Sequence, residues 1–276
     1  MDFENVLTLI QKELRDAFRN RWFLLYAIAF AGLSLALAWF SVSGAGSYGV
    51  AGFGRTTAGL INLILLIVPL MGLTLGALSL AGEREKGTLI YLLAQPISSG
   101  ELLLGKFVGL ALALTAALLI GFGLTGVMMV VAGGGGDFGI FATLMVLSVL
   151  LAIVSLSLGF LISAAVKKAA TAVGLALFLW LILVYFGDLG LMGTAVVMKL
   201  KAWQLLALAL INPLQVFKIA AVFDLRNNLE VLGPAGIYAF RTYGTTLWPL
   251  LVGLLLTWVI VPFALATQVF RKRGVI

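Results

Sequence analysis

The sequence predicts an all-α, polytopic membrane protein with six transmembrane helices, and three observations lead there. The 276-residue chain is 62% apolar and 11% charged, with a mean hydropathy of +1.16, well outside the usual composition of soluble domains. Its apolar residues are gathered into runs close to or above the roughly 20 needed to cross about 30 Å of hydrocarbon. Its 18 Lys and Arg collect at the ends of those runs, so the net charge of +7 reads as a topology signal and not as a nucleic-acid interface. With no Cys and no His, the chain has no disulfide, thiolate nucleophile, imidazole base, or imidazole or thiolate metal site.

Residues 1–21 form an amphipathic segment. Phe3, Val6, Leu7, Ile10, Leu14, Ala17 and Phe18 recur at helical spacing, with Lys12, Glu13, Arg15, Asp16 and Arg19 on the other faces, which predicts an interfacial helix on the membrane surface. Residues 22–42 are too long an apolar run for a signal peptide and read as an uncleaved first span. Further spans are expected at about 58–81, 107–132, 138–166, 169–187 and 246–270. Glycine-rich turns at 44–54 and 133–136 join spans on one side. Residues 188–245 mix charges with short apolar patches. There, residues 202–211 end at Asn212-Pro213 and are too short to cross unaided, so one or two external or re-entrant helices are expected. The whole chain, 1–276, is one transmembrane domain.

Six crossings put both termini, the segment 82–106 and the Lys167-Lys168 turn on one side. That side holds twelve Lys and Arg, from Lys12 to Arg273, against six on the other, which makes it cytoplasmic.

The segment 82–106, G-E-R-E-K-G-T-L-I-Y-L-L-A-Q-P-I-S-S-G-E-L-L-L-G-K, is a polar island between two spans. Thr88 opens a short helix, Leu89, Leu92 and Leu93 give it an apolar face, and Pro96 stops it. An amphipathic helix on the aqueous side is a docking element in form. Its closing G-E-L-L-L-G-K mimics a phosphate loop, but Phe107 follows where Ser or Thr should bind magnesium, and a span begins there. Lys106 is expected to snorkel to the headgroup level. Gly72 and Gly76, and again Gly105 and Gly109, have the spacing that lets helices approach closely. Pro69, Pro249 and Pro262 lie inside spans. Ionisable residues are nearly absent from the spans, so the chain lacks the usual pointer to an ion-driven carrier, and energy for transport must come from a partner.

The island resembles the first cytoplasmic loop of ABC-2 type transporter permeases, which runs as Gly-Glu, a charged pair, Gly-Thr, a Leu-rich turn, Pro, then Gly-Lys before the third span. The interfacial helix and the six-span plan are similar too, so the likeness covers essentially the whole chain. It implies a type V exporter-like permease whose coupling element is Gly82, Glu83, Arg84, Glu85, Gly87, Thr88 and Pro96. It further implies a homodimer engaging two copies of an ABC ATPase subunit, in the cytoplasmic (inner) membrane. ATP and Mg would be bound by that subunit, with no cofactor, catalytic residue or metal site in this chain. Arg19-Asn-Arg-Trp22, Gly105-Lys-Phe-Val-Gly109, Leu210-Ile-Asn-Pro213 and Phe270-Arg-Lys-Arg273 are similar to the NosY-type branch of the family. That branch implies maturation of the copper-sulfide site of nitrous oxide reductase by movement of a sulfur or copper species, and a periplasmic partner for which Asn212 and Pro213 are candidate contacts. For soft metal the chain could offer only methionines such as Met128, Met129, Met192 and Met198. The alternatives are export of another substrate (lipid, drug or ion), a membrane anchor for a periplasmic maturation factor, and a secondary carrier working alone.

Overall fold

The computed structural model describes residues 3–43, 53–94, 97–131, 138–187, 200–226 and 233–273. These are helical almost throughout: α1 (Phe3–Arg19), α2 (Arg21–Ser43), α3 (Phe53–Glu85), α4 (Thr88–Leu93), α5 (Ser99–Val131), α6 (Phe138–Ala165), α7 (Ala169–Tyr185), α8 (Ala202–Ile211), α9 (Pro213–Arg226), α10 (Gly233–Tyr243) and α11 (Leu247–Arg273). Five helices are long and apolar enough to span: α2, α3, α5, α6 and the one ending in α11. The 17 residues of α7 rise about 25 Å, the short end of what crosses a bilayer, and complete six.

The core is centred on α3. Its apolar window is 78% buried, whereas those of the first and last spans are 22% buried and lie at the outside of the bundle. α3 packs most extensively on α6, and glycines are the reason. A methyl built on Gly76 would sit 2.5 Å from Leu156 O, one on Gly159 2.5 Å from Leu73 O, and one on Gly72 2.7 Å from Ala152 O. Only glycine permits that backbone-to-backbone approach, which in lipid replaces the missing hydrophobic drive. Gly105 and Gly109 do the same for α1, whose Leu9 and Glu13 Cβ atoms would lie 2.6 and 2.8 Å from an added methyl. Both small-residue pairs are thus spent on packing within the chain.

Phenylalanines fill the remaining seams. Phe122 stacks against Phe30 of α2 and Phe141 of α6, and Phe107 against Phe160 of α6 and Phe263 of α11, at centroid distances of 4.4 to 5.5 Å.

The prolines are accommodated by neighbours. Pro249 falls in the first turn of α11, where no ladder bond is lost. At each interior proline, a donor from another helix reaches the carbonyl three residues before the ring. Trp180 Nε1 donates to Leu66 O at 3.0 Å, and Ser157 Oγ donates to Val259 O at 2.6 Å. The disturbed turns are therefore satisfied rather than left open.

Between α7 and α11 the structure corrects the expected one or two helices to three among the described residues. α8 and α9 meet at a 114° bend, so the pair is not one continuous helix. Asn212 makes the corner: its Oδ1 accepts from Leu214 N–H at 3.0 Å, its Nδ2 donates to Leu183 O at 2.6 Å, and Pro213 takes the first helical position. Residues 44–52, 132–137 and 188–199, with Met192 and Met198, lie outside the described residues.

Candidate functional site

α1 ends where Asn20 takes over as cap of α2, its Oδ1 accepting from Trp22 N–H at 3.0 Å. The face α1 turns toward α5 is not the expected apolar stripe. Leu9, Glu13 and Ala17 are buried, while Leu7 and Phe18 remain exposed. The glycine pair of α5 decides this, because it admits only that edge of α1, and it carries Glu13 inward.

There Glu13 meets Lys106. The expectation that Lys106 snorkels outward is corrected: it is 1% exposed, and its Nζ lies 2.6 Å from Glu13 Oε1 and 2.8 Å from Glu83 Oε1. Lys12 Nζ closes the figure at 3.0 Å from Glu13 Oε1 and 3.2 Å from Glu83 Oε1, with Asp16 3.6 Å away. Two ammoniums and two carboxylate oxygens alternate in a ring joining α1, α3 and α5, and its charges balance. Such balance is needed at this depth, since an unpaired buried charge costs several kcal/mol. Burial alone would lower the Lys12 pKa. The Glu13 and Glu83 carboxylates more than offset that, holding it above the ordinary lysine value.

Glu83, Arg84 and Glu85 are consecutive at the end of α3, so their side chains leave it about 100° apart and reach three places. Glu83 joins the ring. Arg84 Nη1 donates to Ser163 O at 3.4 Å in the last turn of α6 and to Val166 O at 2.5 Å just past its end. Glu85 Oε2 accepts from Ala169 N–H at 2.7 Å, satisfying one open donor at the start of α7. One turn earlier, Ser163 Oγ enters the α3 ladder, accepting from Leu80 and Ala81 N–H at 3.0 and 2.8 Å and donating to Ala77 O at 2.7 Å. The end of α3 is thereby tied to α1, α5, α6 and α7 together.

From this hub the chain turns at Gly87, whose φ of 72° is one that glycine adopts without strain, and Thr88 Oγ1 donates back to Glu83 O at 3.2 Å. α4 follows as six residues. Leu89 is buried and Leu92 half-buried, but Ile90 and Tyr91 stand 60% and 76% exposed. Gly82 is half-buried at the hub. Pro96 lies outside the described residues. Residues 100–106, the phosphate-loop mimic, are already helical in α5 and form no anion cradle.

Among the predicted site residues, the structure brings Gly82 to Thr88 together and leaves Asn212 and Pro213 at the distant α8–α9 corner. Sequence reasoning missed Glu13, Lys106, Ser163 and the exposed pair Ile90 and Tyr91. For Glu13 one signal existed: the repeat Leu9, Glu13, Ala17 at four-residue spacing suits the glycine pair of α5. Among the described residues no three Asp or Glu cluster to hold a metal. Met129 is buried and Met128 packs against the core.

A family model described as ABC-2 family transporter protein matches residues 7–275. The chain is 33% identical over 275 residues to the probable ABC transporter permease protein NosY of Stutzerimonas stutzeri, covering 97% of this chain and 98% of the relative. Against the probable NosY permease of Pseudomonas aeruginosa it is 33% identical over 280 residues, covering 98% and 99%. With a six-span helical bundle and a polar hub leading into a short exposed helix, this chain belongs to the ABC-2 family of transporter proteins, as a multi-pass membrane permease.

Proposed function

We propose that this permease is driven by a separate ABC ATPase that docks on α4. The observation that carries the reading is the pairing of an exposed Ile90 and Tyr91 on α4 with a hub that ties the adjoining helix end to four others. Two large apolar side chains projecting from a helix beside a charged cluster suit insertion into a partner's groove. A push on α4 then passes through Gly87 into the end of α3. Glu83 carries it to α1 and α5, Arg84 to α6, and Glu85 to α7, a rigid-body shift of packed helices.

On this reading the hub and both termini face the cytoplasm across the inner membrane, following the bias of basic residues. Two copies of the permease pair around the transport path, and two ATPases bind ATP and Mg. The resemblance to NosY permeases supports a role in maturing the copper-sulfide site of nitrous oxide reductase. A sulfur or copper species is moved, and a periplasmic partner receives it near the α8–α9 corner.

The test is co-purification with a co-expressed candidate ABC ATPase subunit. Tyr91→Glu should lose the ATPase while keeping the melting temperature of the parent permease. Undiminished co-purification with Tyr91→Glu overturns the assignment of α4. Glu83→Lys is the poorer probe, because it faces Lys106 and Lys12 and disturbs the fold itself.

A further inference from the structure

Hydroxyls in the spans find acceptors close by. Thr125 Oγ1 donates to Gly121 O at 2.8 Å, and the Thr257 hydroxyl bonds back to Gly253 O at 2.9 Å. Asn62 of α3 differs. Its side chain is exposed, and among the described residues it makes no hydrogen bond. An amide brings two N–H donors and an acceptor, more than one carbonyl of its own helix can satisfy. The surface around it is open. α2 packs beside Gly59, and α7 reaches α3 through Trp180 Nε1 on Leu66 O. Between these contacts Asn62 and Leu66 stay exposed, Leu66 by 47%, although α3 is buried on every side from Met71 to Ala77.

The depth of Asn62 follows from α2. Trp22 and Trp39 are 62% and 61% exposed and stand about 25 Å apart on that helix, the separation of the two aromatic belts of a bilayer. A methyl built on Gly59 would touch the Leu37 side chain at 3.6 Å, so the two residues stand level. Asn62, three residues further along the returning α3, is then about 8 Å inside the Trp39 belt. A side chain this short cannot snorkel so far. Acyl chains offer its amide no partner. A subunit docked at α4 is out of reach, since Glu83 lies about 31 Å further along α3. What covers Asn62 must itself lie within the membrane.

We propose that this face of α3 meets the same face of a second copy of the permease, with the two Asn62 amides paired across the twofold axis. An amide is its own complement. Each Asn62 donates an N–H to the carbonyl oxygen of the partner's Asn62 and accepts one in return, the reciprocity that a twofold contact imposes. Leu66, one turn deeper, packs beside the pair. Hydrogen bonds between side chains of this kind hold helices together in lipid, where burial of apolar surface cannot. The inference rests on the pairing of two permeases proposed above and names the face that makes it.

The chain has no Cys, so one introduced thiol reports on its own position alone. In membranes, a short bifunctional methanethiosulfonate should link Asn62→Cys into a dimer. Ile260→Cys, 64% exposed on α11, should stay unlinked. In liposomes, single-molecule photobleaching over a dilution series should show Asn62→Leu dimerising about tenfold more weakly than the parent, the loss of the amide pair. Its melting temperature should match the parent's, because the amide bonds nothing among the described residues of its own chain. A parent that is monomeric at every dilution overturns the pairing of two copies and this face with it. A dimeric parent whose Asn62→Cys variant is not linked, or that is linked through Ile260→Cys instead, overturns the face and leaves the pairing standing. Undiminished dimerisation of Asn62→Leu overturns the amide pair.

Discussion

The ionic ring and the α3–α6 glycine seam both hold helices together inside one bundle, by opposite means. In the ring, Glu13, Glu83, Lys12 and Lys106 attract through charge, at a place where Gly105 and Gly109 let α1 close on α5. In the seam, Gly72, Gly76 and Gly159 bring backbones into contact with no charge at all. The ring tolerates changes of volume but not of charge balance. The seam tolerates no added atom and is indifferent to salt and pH. The seam also lies in the middle of the spans, whereas the ring sits beside α4, where a device that must shift is better built from side chains than from locked backbones.

The largest effect expected from breaking this contrast is at the ring. Lys106→Met is nearly isosteric but leaves two carboxylates short of a cation, and should cost about 3–5 kcal/mol, read as lost thermal stability in detergent. Adding Glu13→Gln alone to that variant leaves Lys12 facing one carboxylate and should recover much of the loss, since the penalty comes from uncompensated charge. No recovery would mean that the ring works through shape, like the seam.

A smaller effect is expected at the seam. Gly76→Ala adds one methyl against Leu156 O and should destabilise by about 1–3 kcal/mol, despite the better helix propensity of alanine. The cost should be the same at low and high salt. A stabilised Gly76→Ala protein would show that α3 and α6 can part cheaply.

The smallest effect concerns pH. Because the Lys12 pKa is raised above its ordinary 10.5, its contribution is fully present below that value and is lost only as pH rises beyond it through the still higher folded value. The melting difference between parent and Lys12→Gln should therefore stay constant from about pH 6 to pH 9. A difference that changes within that window would show that Lys12 is not held charged by the ring.

Much of this was legible in advance. Hydropathy marked five of the six spans to within a few residues of their helices, and the α4 helix was readable from Thr88 to Leu93 because its apolar spacing and the glycine before it are local. The third span was placed late: α5 begins at Ser99, two turns before the apolar run at Phe107, because the polar residues Glu101 and Lys106 concealed the helix that carries them. The direction of charged side chains was also hidden. Glu83, Arg84 and Glu85 read as a docking surface, yet each turns to a partner in the chain itself, and the exposed residues are Ile90 and Tyr91. Likewise Asn212, a candidate for an outside partner, spends both amide atoms on its own corner.

By itself the sequence determined how many helices cross, where they begin and end, and to which family the chain belongs, because hydropathy, capping and motif spacing are carried by neighbouring residues. Only the tertiary structure decided that Glu13 and Lys106, 93 positions apart, share an ionic ring at 2.6 Å, and that Glu83 of the island turns inward to it. The azimuth of a helix is set by which glycines its neighbours present. A quarter-turn of α1 would have left Glu13 in water and Lys106 with only one of its two counter-charges.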